Sequence, residues 1–153
     1  MTVRIVTDSL SDIPSEVAKE LGITIIPIYV RFGTETYRDG VDLTTEQFYY
    51  KLRESKVMPA TTVPPIGDFV EVYDTLAQET EEIVVITVSR KLSATYETAV
   101  RAIELMARKC RVQVIDSLLG IMAQGLVVIT SARAAQAGAS FDEVVRLTQH
   151  NIH

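Results

Sequence analysis

The sequence contains few of the residues that build disulfides, metal sites or histidine-based catalytic centres. Its 153 residues include one cysteine, Cys110, two histidines, His150 and His153, and no tryptophan. One cysteine cannot form a disulfide within the chain, and the histidines at the far C-terminus belong to no Cys/His cluster with metal-ligand spacing. We therefore expect no metal site and no cofactor.

Basic charge is also scarce. The chain has 15 Lys and Arg against 20 Asp and Glu, a net charge of −5, and no basic run. Binding to a phosphate backbone needs a positively charged surface, so nucleic acid is disfavoured as a partner. The N-terminus lacks the basic and then apolar layout of a secretory signal peptide, which together with the single cysteine favours a cytoplasmic protein.

Only one long apolar stretch is a candidate for a membrane span. Residues 118–130 are nearly all apolar, but they include Gly120, Gln124 and Gly125, and Arg133 follows soon after. A spanning helix needs roughly 18 or more apolar residues without charge. We expect a central, buried helix here and a protein that does not span the membrane.

Three motifs of nucleotide binding and catalysis are missing. The sequence has no Gly-x-x-x-x-Gly-Lys-Ser/Thr loop, no Gly-x-Gly-x-x-Gly turn after its first strand, and no Gly-x-Ser-x-Gly nucleophile elbow. The first two cradle phosphates, and the third presents a nucleophilic serine. Their absence disfavours these nucleotide-binding folds and a serine hydrolase.

What the sequence does contain is an alternation of β-rich runs with amphipathic segments. It predicts strands at 3–7, 23–30, 83–88 and 112–115, and helices at 14–21, from 44, from 69, at 96–106, from 118 and from 140. The segments around Tyr37 and at 59–65 are predicted to be loops. The alternation predicts an α/β fold with a mainly parallel sheet flanked by helices, in one domain over residues 1–153.

Hydroxyl groups follow three of the predicted strands. Thr7-Asp8-Ser9 ends the first strand, Ser89 and Ser93 follow the third, and Asp116-Ser117 ends the last. Ligands of open parallel sheets bind at the carboxyl ends of the strands. Hydroxyls beside helix N-termini suit an anion, so the sequence predicts an anion site that favours a carboxylate over a nucleotide.

Structural roles also fit these residues. Each hydroxyl is a suitable helix cap. Asp8 and Asp116 suit either an acid–base pair or the orientation of neighbouring backbone and hydroxyl groups. The strand ends alone do not separate these alternatives.

Six short blocks occur in order over nearly the whole chain. They are Val6-Thr7-Asp8-Ser9, Ile26-Pro27-Ile28, Tyr37-Arg38-Asp39-Gly40, Pro59-Ala60-Thr61-Thr62, Ser89-Arg90-Lys91-Leu92-Ser93-Ala94-Thr95-Tyr96 and Val114-Ile115-Asp116-Ser117. Together they resemble the DegV family of bacterial fatty-acid-binding proteins.

The resemblance implies a DegV-like N-terminal domain, the first of two domains that enclose a long-chain fatty acid, with the second domain outside this chain. It implies that Thr61, Thr62 and Ser93 hold the fatty-acid carboxylate. Supporting roles are expected for the remaining strand-end and motif residues, which are Asp8, Ser9, Ser89, Thr95, Asp116 and Ser117. The last predicted helix reaches His153 without a stop signal, which agrees with a natural chain that continues.

The resemblance also implies a lipid-binding protein that is not itself an enzyme and that presents its fatty acid to a separate ATP-dependent fatty acid kinase subunit. Val63 and Pro65 stand where the family has polar residues, and Ala94 stands where it has glycine, which bears on affinity or chain-length preference. One alternative is an enzyme that acts on a small carboxylated or phosphorylated metabolite at the same strand ends. Another is a purely structural module.

Overall fold

The computed structural model describes residues 2–152 as two β-sheets and six α-helices. In chain order the elements are β1 Arg4–Asp8, a short 3-10 helix Ser9–Ser11, α1 Ser15–Glu20, β2 Thr24–Ile26, β3 Tyr29–Phe32, β4 Glu35–Arg38, α2 Thr45–Glu54, β5 Ala60–Thr62, α3 Ile66–Leu76, β6 Glu82–Thr87, α4 Thr95–Glu104, β7 Arg111–Asp116, α5 Ile121–Gln136 and α6 Phe141–Ile152. The predicted end of the last helix at His153 lies outside the described residues.

The main sheet has four parallel strands in the order β2-β1-β6-β7. The central strand β6 is apolar on both sides, with Val84 and Ile86 in one core cluster and Ile83 and Val85 in the other. An unbroken apolar run is typical of a parallel strand covered on both faces. The predicted α/β fold with a parallel sheet flanked by helices is confirmed.

Helices cover each face of this sheet. On one face Ala18 of α1, Val128 of α5 and Val144 of α6 belong to one core cluster. On the other face Tyr73 of α3 and Ala99 of α4 belong to the second cluster. α1 connects β1 to β2 and α4 connects β6 to β7, as parallel strands require, whereas α5 and α6 follow the last strand and pack on the sheet without connecting strands.

A second, antiparallel sheet in the order β4-β3-β5 was not predicted. The predicted strand at 23–30 is wrong as a single element, because β2 ends at Ile26 in the main sheet and β3 begins at Tyr29 in the second sheet. Pro27 lies at the break and has no N–H to donate to a ladder. The side-chain oxygen of Ser9 accepts the Ile28 N–H at 3.1 Å, which fixes the chain where it changes sheets.

Two segments predicted to be loops form the edges of this second sheet. The segment around Tyr37 is β4, which pairs with β3, and part of 59–65 is β5, which pairs with β3 on its other side. All three residues of β5 are exposed, as are three of the four in β4. Short, polar edge strands carry little of the hydrophobic alternation that identifies a strand in a sequence.

Local signals placed several helix ends correctly. The helix predicted from residue 44 begins with a capping box, since the Gln47 N–H donates to Thr44 Oγ1 at 3.2 Å and the Thr44 N–H donates to Gln47 Oε1 at 2.9 Å. Gly22 and Gly138 follow α1 and α5 with φ values of 63° and 91°, the left-handed conformation with which glycine commonly ends a helix.

The apolar stretch after residue 118 forms α5, which is buried on one side only. Gly125 faces the 3-10 helix, and a Cβ atom at this position would clash with the Ser11 carbonyl oxygen. On the outer side, the Leu126 side chain is 60% exposed, so the predicted central, buried helix is buried on its inner face and exposed on its outer one. Within residues 2–152, no helix combines the length and the hydropathy needed to cross a membrane.

Candidate functional site

The structure brings the three predicted strand ends together. β1 and β7 lie on either side of β6, with Thr7 beside Ile86 and Thr87 beside Asp116 in the ladder. The hydroxyl-bearing segments that follow β1, β6 and β7 therefore share the carboxyl edge of the main sheet.

The Asp8 side chain links the end of β1 to the residue that follows β6. Its side chain is 1% exposed, and Oδ2 accepts the Val88 N–H at 2.7 Å while Oδ1 accepts the Leu10 N–H at 3.1 Å. Burial raises the pKa of the Asp8 carboxyl above its ordinary value, and the hydrogen bonds from Val88, Gln124 and Leu10 oppose this rise. These contacts support the orienting role predicted as one alternative for Asp8.

Gln124 is a member of this cluster that the sequence did not identify as a site residue. Its side chain is fully buried, and Nε2 donates to Thr7 Oγ1 at 3.0 Å and approaches Asp8 Oδ2 at 3.3 Å. The available signal was an amide within an almost entirely apolar stretch, because a buried polar group needs a partner. The partner lies more than a hundred residues away in the chain.

The Ser9 and Ser89 side chains each accept a backbone N–H at the same edge. Ser9 Oγ accepts the Ile28 N–H at 3.1 Å, and Ser89 Oγ accepts the Lys91 N–H at 3.3 Å. Ser89 has the local role typical of serine in turns, whereas Ser9 joins two segments that are 19 residues apart in the chain.

Asp116 and Ser117 shape the loop after β7 in the same way. Asp116 Oδ1 accepts the Leu118 N–H at 3.0 Å and the Arg90 N–H at 3.2 Å. Ser117 Oγ accepts the Leu119 N–H at 3.1 Å. Both side chains stabilise the loops that border the site, and Asp116 links the loop after β6 to the loop after β7.

Ser93 and Thr95 place two hydroxyl groups next to each other at the start of α4, as the predicted anion site requires. Ser93 Oγ and Thr95 Oγ1 lie 2.8 Å apart, and either atom is able to donate. The Ser93 N–H donates to the Ser89 carbonyl at 3.2 Å, which fixes the turn before α4. Thr95 is fully buried whereas Ser93 is half-buried, so Ser93 is the more accessible hydroxyl of the pair.

Thr61 and Thr62 lie elsewhere, on the exposed edge strand β5 of the second sheet. Thr61 pairs with Val30 and Thr62 with Tyr29. Successive strand residues point to opposite faces, so the two threonine side chains leave the sheet on opposite sides. Among residues 2–152 no hydrogen bond joins either threonine to Ser93, and their joint action on one ligand remains a prediction.

Exposed apolar side chains border the Ser93 turn. Leu92 is 73% exposed, Leu118 48% and Ile121 68%. The two loops are adjacent, because the Ser89 N–H donates to the Leu119 carbonyl at 2.8 Å. Leu118 and Ile121 both have a φ of 56°, a conformation that side chains rarely adopt and that is most unfavourable for a β-branched residue. Backbone strain of this kind clusters at functional sites.

No metal centre is visible in the described part of the chain. Between residues 2 and 152, no three or more His, Cys, Asp or Glu side chains are grouped so that they would hold a metal ion.

Known proteins resemble this chain over its full length. A DegV domain-containing protein of Caldanaerobacter subterraneus is 40% identical over 150 residues, which are 98% of this chain and 53% of that protein. The crystal structure of DegV from Bacillus subtilis, described as a fatty acid binding protein, superposes with a TM-score of 0.91 at 29% identity, over 99% of this chain and 54% of that one.

A third relative comes from Eubacterium ventriosum and is described as a stearic acid-binding protein. It superposes with a TM-score of 0.88 at 28% identity, over 96% of this chain and 52% of its own. This chain therefore spans about half the length of the relatives it matches. The sequence model of the family described as "Uncharacterised protein, DegV family" matches residues 2–153. The chain belongs to the DegV family.

Proposed function

We propose that this chain supplies one wall of a binding site for a long-chain fatty acid. The observation that carries the proposal is the Ser93–Thr95 hydroxyl pair, which lies beside the exposed apolar side chains of Leu92 and Leu118. A fatty acid consists of one anionic group and a long apolar chain, so it needs both kinds of contact. The descriptions of the solved relatives as fatty acid binding proteins support the same ligand class.

The headgroup end of the proposed site uses Ser93 together with Thr61 or Thr62. In the Ser93–Thr95 pair one hydroxyl donates to the other, which leaves one hydroxyl hydrogen for a carboxylate oxygen. A hydrogen bond to a charged acceptor contributes about 1.5–3 kcal/mol. Asp8, Ser9, Ser89, Asp116 and Ser117 support this end indirectly, because they hold the loops from which the hydroxyls project.

The acyl chain lies, in this proposal, against Leu92, Leu118 and Ile121. These side chains are too exposed to stabilise the fold much, whereas contact with an acyl chain would bury them. We further propose that residues 1–153 form the N-terminal domain and that a second domain covers the opposite side of the lipid. The match to about half of each relative supports this division.

We propose that the protein is a lipid carrier and that a separate ATP-dependent kinase subunit phosphorylates the bound carboxylate in the cytoplasm. The carboxylates of Asp8 and Asp116 accept backbone N–H groups, an arrangement that supports orientation over acid–base chemistry. The alternative is an enzyme that acts on a small carboxylated or phosphorylated metabolite at the same edge. The experiment must distinguish this enzyme from the lipid carrier.

The test is native mass spectrometry of the full-length protein, which includes the second domain, after purification without added lipid. We expect a copurified species with the mass of a long-chain fatty acid, and we expect Ser93→Ala to reduce its occupancy while the melting temperature stays nearly constant. The matched control is Ser15→Ala, an exposed serine at the start of α1.

Two results would overturn the proposal. Unchanged lipid occupancy with a lowered melting temperature in Ser93→Ala would make this hydroxyl a structural cap. Turnover of a small ester or phosphate that disappears in Ser93→Ala would instead favour the enzyme.

A further inference from the structure

Residues 29–62 form a separate unit beside the main sheet, which we call the flap. It comprises β3, β4, α2 and β5, and it has an apolar core of its own around Val30, Phe32 and Leu43. Among the described residues, none of the flap belongs to the two clusters that cover the main sheet. The placement of the flap therefore depends on the few contacts that join it to the rest of the protein.

The two chain connections to the flap lie next to each other. Pro27-Ile28 leads into it from β2, and residues 63–65 lead out of it to α3. Tyr29 pairs with Thr62 in the ladder between β3 and β5, so the flap begins and ends on neighbouring strands. Both connections contain proline, which restricts how the backbone bends there. Two adjacent, stiff connections form a single pivot, the arrangement of a hinge.

One side-chain hydrogen bond fixes the flap beyond this pivot. Tyr29 Oη donates to Asp68 Oδ2 of α3 at 3.0 Å, and both residues are half-buried. Within residues 2–152, the other side-chain hydrogen bonds and the ion pairs of residues 29–62 have both partners inside the flap. Burial raises the pKa of Tyr29, and the hydrogen bond to Asp68 raises it further, so the hydroxyl stays protonated and able to donate.

The Tyr29–Asp68 contact lies beside the strand that carries the two threonines. Residues paired across an antiparallel ladder have their side chains on the same face, so Thr62 shares a face with Tyr29. Thr61 shares the opposite face with Val30, which is buried in the flap core. Because β5 pairs with β3, a shift of Tyr29 relative to Asp68 moves both threonines together.

We propose that the flap moves as one body about its pivot. In this proposal Tyr29 and Asp68 are positioning residues, because their hydrogen bond sets the place of β5 relative to Ser93. The positioning role rests on the proposed function, since it concerns the threonines that would complete the carboxylate site, whereas the motion itself does not depend on a ligand. Without the hydrogen bond the flap samples several positions, and the complete headgroup site is present only part of the time.

The experiment measures a distance across the pivot in the full-length protein. Spin labels at Glu46→Cys in α2 and Glu104→Cys in α4, both exposed positions, report this distance by double electron–electron resonance in a cysteine-free background that includes Cys110→Ser. We expect one narrow distance in the parent protein and a broader distribution in Tyr29→Phe, which removes only the hydroxyl. The affinity for stearate should fall about twofold to tenfold, the factor by which one hydrogen bond shifts a balance between positions.

Two further comparisons separate positioning from general stability. Asp68→Asn keeps an acceptor oxygen for the Tyr29 hydroxyl, so it should retain the narrow distance and the affinity, whereas Asp68→Ala should resemble Tyr29→Phe. Tyr50→Phe is the matched control, because it removes an exposed hydroxyl of the flap and should change neither measurement.

An unchanged distance distribution in Tyr29→Phe would overturn the proposal, and a lowered melting temperature alone would then make the bond merely structural. A broader distribution with unchanged affinity for stearate would overturn the positioning role. Neither result bears on the fatty-acid proposal, which Ser93→Ala tests. A parent protein that binds no stearate would overturn the fatty-acid proposal and the positioning role with it, and the measured distances would still decide whether the flap moves.

Discussion

Gln124 Nε2 donates a hydrogen bond of 3.0 Å to Thr7 Oγ1, across 117 residues of sequence. Thr7 Oγ1 in turn donates to the Ile86 carbonyl at 2.8 Å, and Asp8 beside it accepts the Val88 N–H. α5, β1 and β6 are therefore joined by one buried polar network beneath the proposed lipid site. The loops that carry Ser89 and Ser93 begin where this network ends.

We expect Gln124→Ala to lower the free energy of unfolding by about 1–3 kcal/mol, because it removes a buried donor from Thr7 and Asp8. Urea denaturation followed by circular dichroism measures the change. Gln136→Ala is the control on the same helix, since Gln136 is exposed and should change stability by less than about 0.5 kcal/mol. Equal effects of the two substitutions would contradict a special role for the buried amide.

We expect Gly125→Ala to destabilise the fold by about 1–3 kcal/mol, since the added methyl group would clash with the Ser11 carbonyl and push α5 away from the 3-10 helix. Gly67→Ala is the matched control. Gly67 lies in α3 with open space around its Cβ position, so alanine there should stabilise by about 0.4–1 kcal/mol. Thermal unfolding of both variants should show shifts of opposite sign.

We expect Thr61→Val and Thr62→Val to differ in their effect on lipid occupancy. The two side chains leave β5 on opposite faces. A single fatty-acid carboxylate therefore lies closer to one of the two threonine hydroxyls than to the other. Native mass spectrometry of the two full-length variants makes the comparison, and valine keeps the shape and the strand propensity. An equal loss of lipid in both variants would mean that β5 changes conformation when lipid binds.

We expect Ile121→Asn to stabilise the protein by about 1 kcal/mol and to lower lipid occupancy. Ile121 has a φ of 56°, which asparagine tolerates better than a β-branched residue, so the substitution relieves strain. It also removes an exposed apolar side chain from the proposed acyl wall. Stability gained without any loss of lipid would show that this strain has no connection with binding.

We expect the Asp42 carboxyl to titrate at about pH 2. Hydrogen bonds from the Arg38 side chain and backbone lower the pKa of Asp42 from 3.8 to about 2. The stabilisation of the β4 end by this pair is therefore complete above about pH 3.8 and lost as the pH falls toward 2. Carbon-13 NMR of the carboxyl groups follows the titration; Arg38→Ala should move the midpoint toward 3.8, whereas Lys51→Ala should not.

The sequence by itself determined the main architecture through local signals. The apolar run at Ile83–Ile86 predicts a strand that is covered on both faces, because such a strand has no solvent-facing positions for polar residues. The capping pair Thr44 and Gln47 and the glycine at 138 mark helix ends because cap geometry depends on a few neighbouring residues. Each of these signals lies within a short stretch of neighbouring residues.

The tertiary structure alone decided the second sheet, the role of Gln124 and the placement of the two threonines. β4 and β5 are short and exposed, so their strand identity comes from pairing with β3 and leaves little trace in their own residues. Gln124 finds its partners near the N-terminus, and the Ser9 hydroxyl accepts the N–H of Ile28, 19 residues further along the chain. A local pattern shows which groups are able to bond, but the partner of each group depends on contacts distant in sequence, which only the folded chain creates.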